Sequence, residues 1–111
     1  MRQVVLIPFL IVCSLNVALA DDGYNRGKKL VKSWQCVDCH GLTGNNRSVA
    51  PNYVPMLAGQ PAGYTVYALK EFRSGERKQS GPWSGMNIRA KALSDQDIED
   101  IAAYYEAQKR Y

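Results

Sequence analysis

Histidine is the scarcest functional residue in this chain of 111 residues: His40 is the only one. Catalysis that needs two imidazoles is therefore excluded, and a histidine-rich metal cluster cannot form. Cysteine is nearly as rare, with Cys13, Cys36 and Cys39 making up the total. There is no run of basic residues interleaved with aromatics, so the formal net charge of +4 does not point to nucleic acid. Long apolar runs are missing too. The stretch from Val4 to Val12 is broken by Pro8 and followed by Ser14 and Asn16, which leaves it short for a bilayer span. No period-two alternation, internal repeat or linker is visible, and the length leaves no room for a separate catalytic module.

What is present begins with an export signal. Arg2 supplies positive charge, an apolar segment follows, and Ala18-Leu19-Ala20 has the small-x-small form of a cleavage site. Residues 1–20 are expected to be a signal peptide, cut after Ala20, and residues 21–111 a single domain. Cys13 is preceded by Val12, where a lipoprotein acylation site has a small residue, so it is read as inert. Removal of 20 residues leaves 111 − 20 = 91, with 13 bases against 10 acids, or +3. The mature chain is expected in the periplasm with no membrane span. Its two remaining cysteines need a covalent or ligand role in that oxidising setting.

Three helices are expected. Gly27, Leu30, Val31 and Trp34 follow Tyr24 at helical spacing, with Arg26, Lys28, Lys29 and Lys32 between them. A second helix opens at Gln60-Pro61, with proline in the first helical position. It buries Thr65, Ala68, Leu69 and Phe72 and stops at Gly75. Ser94 caps a third, with Asp97 three residues on, and Ile98, Ile101, Ala102 and Tyr105 face inward while Asp100 and Glu106 lie on other faces. Residues 41–59 and 76–92 read as loops, rich in glycine and proline. The class is all-α. Three short helices enclose little apolar surface, so a buried hydrophobic body would complete the core.

The chemistry lies in Cys36-Val37-Asp38-Cys39-His40. Two thiols across one turn can add to the two vinyl groups of a haem, leaving the next imidazole under the iron. A zinc site would lack a fourth soft ligand, and no βαβ pattern supports a redox disulfide. One covalent haem c is therefore expected, with Cys36 and Cys39 as thioethers and His40 as an axial ligand. The other ring nitrogen of His40 needs an acceptor, and the Pro55 carbonyl is the candidate. Met56 and Met86 are the available sixth ligands. Met56 follows Pro55 on the histidine side, so Met86 is preferred.

These residues, together with Pro55-Met56-Leu57-Ala58-Gly59-Gln60, Phe72-Arg73-Ser74-Gly75, Leu93-Ser94-Asp95 and Ala102-Ala103-Tyr104-Tyr105, resemble class I cytochromes c, especially the cytochrome c4 subgroup. The resemblance covers nearly all of residues 21–111. It implies the cytochrome c fold, with three main short helices and long loops around one covalently bound haem. It also implies thioethers at Cys36 and Cys39, iron ligation by His40 and Met86, orientation of His40 by Pro55, and a close crossing of the first and last helices at Gly27 against Tyr104 or Tyr105. Cytochrome c4 has two haem domains, and this chain, with one Cys-x-x-Cys-His run, looks like a single half.

The function expected is a periplasmic single-electron carrier shuttling between respiratory redox partners. It is not an enzyme, and a haem enzyme or gas sensor would need an open iron position. The alternative is a cytochrome subunit held tightly by a periplasmic dehydrogenase. Arg73, Arg77, Lys78, Arg89 and Lys91 flank the Met86 segment, while Asp95, Asp97, Glu99 and Asp100 crowd the last helix. Redox protein partners, with acidic docking surfaces as one form, are expected, and the chain is expected as a monomer or in transient complexes.

Overall fold

The computed structural model describes residues 2–5, 10–48, 53–78 and 85–111, with the backbone alone for 10–21. Among the described residues there are five helices and no strand: α1 (Leu10–Ser33), α2 (Cys36–His40), α3 (Ala62–Ser74), α4 (Gly85–Lys91) and α5 (Asp95–Glu106). One isolated antiparallel bridge joins Ser48 and Val54. The chain is all-α, as its periodicity implies. Some element bounds differ from the sequence reading. α1 starts at Leu10 rather than near Tyr24 and runs unbroken past Ala20, because the leucines and alanines read there as an export signal are also good helix formers. The segment 76–92 is not all loop, since α4 occupies Gly85–Lys91.

α1 and α5 cross at Gly27. A Cβ there would stand 2.1 Å from the Asp100 carbonyl oxygen and 2.8 Å from Tyr104 Cβ, so only hydrogen fits between the backbones. Beside this crossing Asp100 is buried, against the sequence expectation that put it on another face. Arg26 Nε donates to its Oδ2 at 2.8 Å and Gln96 Nε2 to its Oδ1 at 2.9 Å. A buried carboxylate is tolerated because both oxygens are bonded.

The core gathers Val31 from α1, Leu69 from α3, Ala90 from α4, Leu93, and Ile98, Ile101, Tyr104 and Tyr105 from α5. α5 is held at its start by the full capping box, with Ser94 Oγ accepting from Asp97 N at 3.0 Å and Asp97 Oδ2 accepting from Ser94 N at 3.1 Å. α3 begins one residue later than expected. Pro61 is its cap rather than its first helical residue, with ψ 128, and Gly75 closes it in the left-handed region at φ 84. α3 packs on both α4 and α5, which leaves its Thr65, Ala68 and Leu69 face turned to the interior.

Candidate haem site

α2 is a single turn that places Cys36 and Cys39, three residues apart, on one face. Gln35 opens it in the left-handed conformation, φ 61 and ψ 24, and so reverses the chain straight after α1. Neither cysteine is in a disulfide. Burial pushes the Cys36 thiol up to about 11, so it is neutral at pH 7. Cys39 is exposed.

His40 ends the turn with 6% of its surface exposed. Its Nδ1 lies 3.0 Å from the Pro55 carbonyl oxygen. A carbonyl only accepts, so Nδ1 carries the proton and Nε2 keeps its lone pair. Burial holds the His40 pKa below the ordinary histidine range, with the Pro55 bond as a smaller opposing influence, and this favours the neutral ring that a metal requires.

The loop after His40 is fixed from two sides. Gly44 O accepts from Leu57 N at 2.8 Å and Ala58 N at 3.0 Å, which ties residues 41–44 to the segment carrying Pro55. From α5, Tyr104 Oη donates to Leu42 O at 2.5 Å and Tyr105 Oη to Gly41 O at 3.2 Å. Burial raises the pKa of both phenols, so they remain donors. Gly44, at φ 72, lies against the Tyr105 ring, which a Cβ would approach to 2.7 Å.

This frame encloses two adjoining cavities of about 500 Å3 and 360 Å3. His40, Tyr53, Val54, Pro55, Leu69 and Met86 line both. The smaller also has Cys36, Cys39, Trp34, Leu93 and Ile101 in its wall, so Cys36, Cys39, His40, Pro55 and Met86 all face one space. Met86 reaches it from the first turn of α4. Met56 lines only the larger cavity.

The walls suit a flat, mostly apolar group with a charged edge. Leu57, Ala68, Leu69 and Phe72 line the larger cavity, and Arg77 and Lys78 stand at its edge. Thr65 Oγ1 is buried there without a hydrogen-bond partner, the single such side-chain atom among the described residues. Of the residues lining either cavity, none is a carboxylic acid. Two nearby thiols, a neutral imidazole with a free lone pair and a thioether form a donor set that fits a covalently attached haem.

The family model for cytochrome c matches residues 24–108. The chain belongs to the cytochrome c family. It is 47% identical over 74 residues to cytochrome c-554(548) of Halomonas halodenitrificans, covering 67% of this chain and 84% of that protein. With cytochrome c4 of Stutzerimonas stutzeri it shares 38% over 97 residues, which is 83% of this chain but 43% of the relative. With the cytochrome subunit of sulfide dehydrogenase of Chlorobaculum tepidum it shares 33% over 81 residues, or 73% of this chain and 64% of the relative. The chain thus spans less than half the length of the cytochrome c4 it matches.

As a cytochrome c it carries one covalently bound haem c and is an electron carrier rather than an enzyme. Some contacts that shape the cytochrome's pocket go beyond the sequence reading, which gave Tyr104 and Tyr105 only a place at the helix crossing. The phenols of Tyr104 and Tyr105 bond a loop whose partners are 62 and 64 residues away in the chain, a relation no local pattern reveals. Tyr53 and Tyr64 line the larger cavity. Tyr67 is largely exposed, and Trp83 lies outside the described residues. No helix among the described residues is long and apolar enough to cross a membrane.

Proposed function

We propose that this cytochrome is an exported, periplasmic single-electron carrier whose haem iron is held by His40 and Met86, shuttling between respiratory redox partners. One observation carries the reading: His40 and Met86 line the same cavity as the two thiols, and do so from different helices. When bound, the haem supplies an iron that takes up and gives back one electron.

The chain's own residues hold and insulate that group. Cys36 and Cys39 would anchor it through thioether bonds, and Pro55 keeps the proton on His40 Nδ1 so that Nε2 would be left for the metal. Met86 offers a soft sulfur, which favours the ferrous state relative to a second nitrogen. Leu69, Leu93 and Ile101 keep water from the wall. With His40 and Met86 both committed to the iron, the protein would leave it no position for chemistry on a substrate.

The visible spectrum tests the ligands. The ferric protein is expected to be low-spin, with the weak long-wavelength band of a sulfur–iron bond, and Met86→Ala to abolish the band and let the reduced protein bind carbon monoxide stoichiometrically. If Met56→Ala rather than Met86→Ala removes the band, Met86 is not the ligand. Sequencing the exported protein from its first residue checks the leader, which is expected to leave Asp21 first.

A second reading has support in the likeness to a subunit of sulfide dehydrogenase. In it the same site serves a chain bound permanently to a periplasmic dehydrogenase. Size-exclusion of the native protein from its source separates the two, a free carrier eluting near the mass of the mature chain and a subunit with its enzyme.

A further inference from the structure

Thr65 presents a problem that the haem ligands do not solve. Its side chain is on the inward face of α3, 6% exposed, and Oγ1 meets no acceptor among the described residues. A threonine inside a helix can usually turn its hydroxyl back to the carbonyl four residues earlier. Here that carbonyl, Pro61 O, already accepts from Tyr64 N at 3.0 Å and Thr65 N at 3.3 Å. A buried hydroxyl left without a partner costs about 1–3 kcal/mol. Replacing it by a methyl group would remove that cost, so its presence calls for an acceptor in the cavity.

The surroundings say what kind of acceptor. Arg77 and Lys78 line the same cavity, and Arg89 lines the smaller one. The ion pairs among the described residues, Arg26 with Asp100 and Arg73 with Asp95, use none of these three cations. Arg77 rests on the Phe72 ring at 4.8 Å, and its Nη1 reaches Tyr64 Oη at 3.5 Å. No acid occurs between Arg77 and Met86 in the sequence. The other titratable groups facing the larger cavity are His40, Tyr53 and Tyr64, none of which is a carboxylic acid. A cavity with cations at its edge, an unpaired hydroxyl within and no carboxylate in its wall is suited to a carboxylate brought by the ligand.

Haem carries two carboxylates, on the edge opposite its vinyl groups. The thiols that take the vinyl groups open onto the smaller cavity, whose wall does not include Thr65, Arg77 or Lys78. We propose that Thr65 Oγ1 donates a hydrogen bond to a haem propionate, with Arg77 and Lys78 supplying the countercharge. The group is thereby seated with its acid edge against α3 and its thioether edge against α2. This rests on the covalent haem reading and adds an anchor that the Cys-x-x-Cys-His run does not specify.

The test is the pH dependence of the midpoint potential of the haem-loaded protein. Ionisation of a propionate adds negative charge near the iron and lowers the potential, so the inflection marks that ionisation. A donor and two cations favour the ionised form and hold the inflection at low pH. Thr65→Val keeps the volume and removes the donor, and is expected to move the inflection up by about one pH unit, the equivalent of one charge-assisted hydrogen bond. Thr65→Ser should keep it in place, and Arg77→Gln should raise it, more so at low salt.

An unmoved inflection in Thr65→Val overturns the proposal. So does loss of the sulfur–iron band in that variant with the inflection unchanged, since the hydroxyl would then serve Met86. If Thr65→Val fails to retain haem, Thr65→Ala and Arg77→Gln read the same inflection, and no movement in either overturns it equally. A wild-type protein that is colourless after export defeats the haem reading itself, a result distinct from all of these.

Discussion

Gln35 is the one residue other than glycine with a positive φ among the described residues. A side chain in the left-handed region costs roughly 1–2 kcal/mol, which glycine avoids at some entropic expense in the unfolded chain. Gln35→Gly is therefore expected to raise the stability of the haem-loaded protein by up to about 1 kcal/mol, read from thermal unfolding with the visible spectrum unchanged. A loss of stability would mean that the glutamine side chain matters to the cavity wall it lines. At this scale the motif could be read because thiol, thiol and imidazole fall within five successive residues, Cys36 to His40. Thr65 was half legible: its inward direction followed from helical spacing, but an unsatisfied hydroxyl depends on where Pro61 O spends its lone pairs. Asp100 misled the reading, since the arginine that makes its burial tolerable is 74 residues away.

Among the elements, the α1–α5 crossing leaves no room for a side chain at Gly27. Gly27→Ala sets a methyl group against the backbone of α5, which cannot swing aside as a side chain could, and should cost about 3 kcal/mol or prevent folding. Gly63→Ala in α3 is the matched control, because nothing lies within 4 Å of the added carbon. There the better helix propensity of alanine should leave stability unchanged or raise it by about 0.5 kcal/mol. Comparable losses in both variants would show that the crossing is looser than its geometry implies. α5 could be placed from sequence because its capping box, first-turn acids and apolar spacing agree with one another. α4 could not. Its seven residues give two turns and too few positions for a period to show, and only its packing against α3 makes it a helix.

For the whole molecule, the structure redraws the charge pattern read from the sequence. Arg73 donates to Asp95 at 2.6 Å and its guanidinium holds that carboxylate below the usual range, so this pair links the two expected poles. Asp100 is withdrawn into the interior. What remains near Met86 is a basic surface of Arg77, Lys78, Arg89 and Lys91, all exposed, beside an exposed Ile88. If partners dock there through acidic surfaces, their electron-transfer rate should fall about tenfold between roughly 0.01 M and 0.15 M salt, measured by stopped-flow mixing. A rate indifferent to salt would remove charge from the recognition. The contacts that shape the loop after His40 carry a different consequence. Tyr104, Tyr105 and Lys109 reach back over 62 to 64 residues to grip Leu42, Gly41 and Asn45. A ribosome delivers the thiols long before those tyrosines, so any enzyme that joined pigment to a nascent chain would meet the turn unclamped and would itself have to impose its shape.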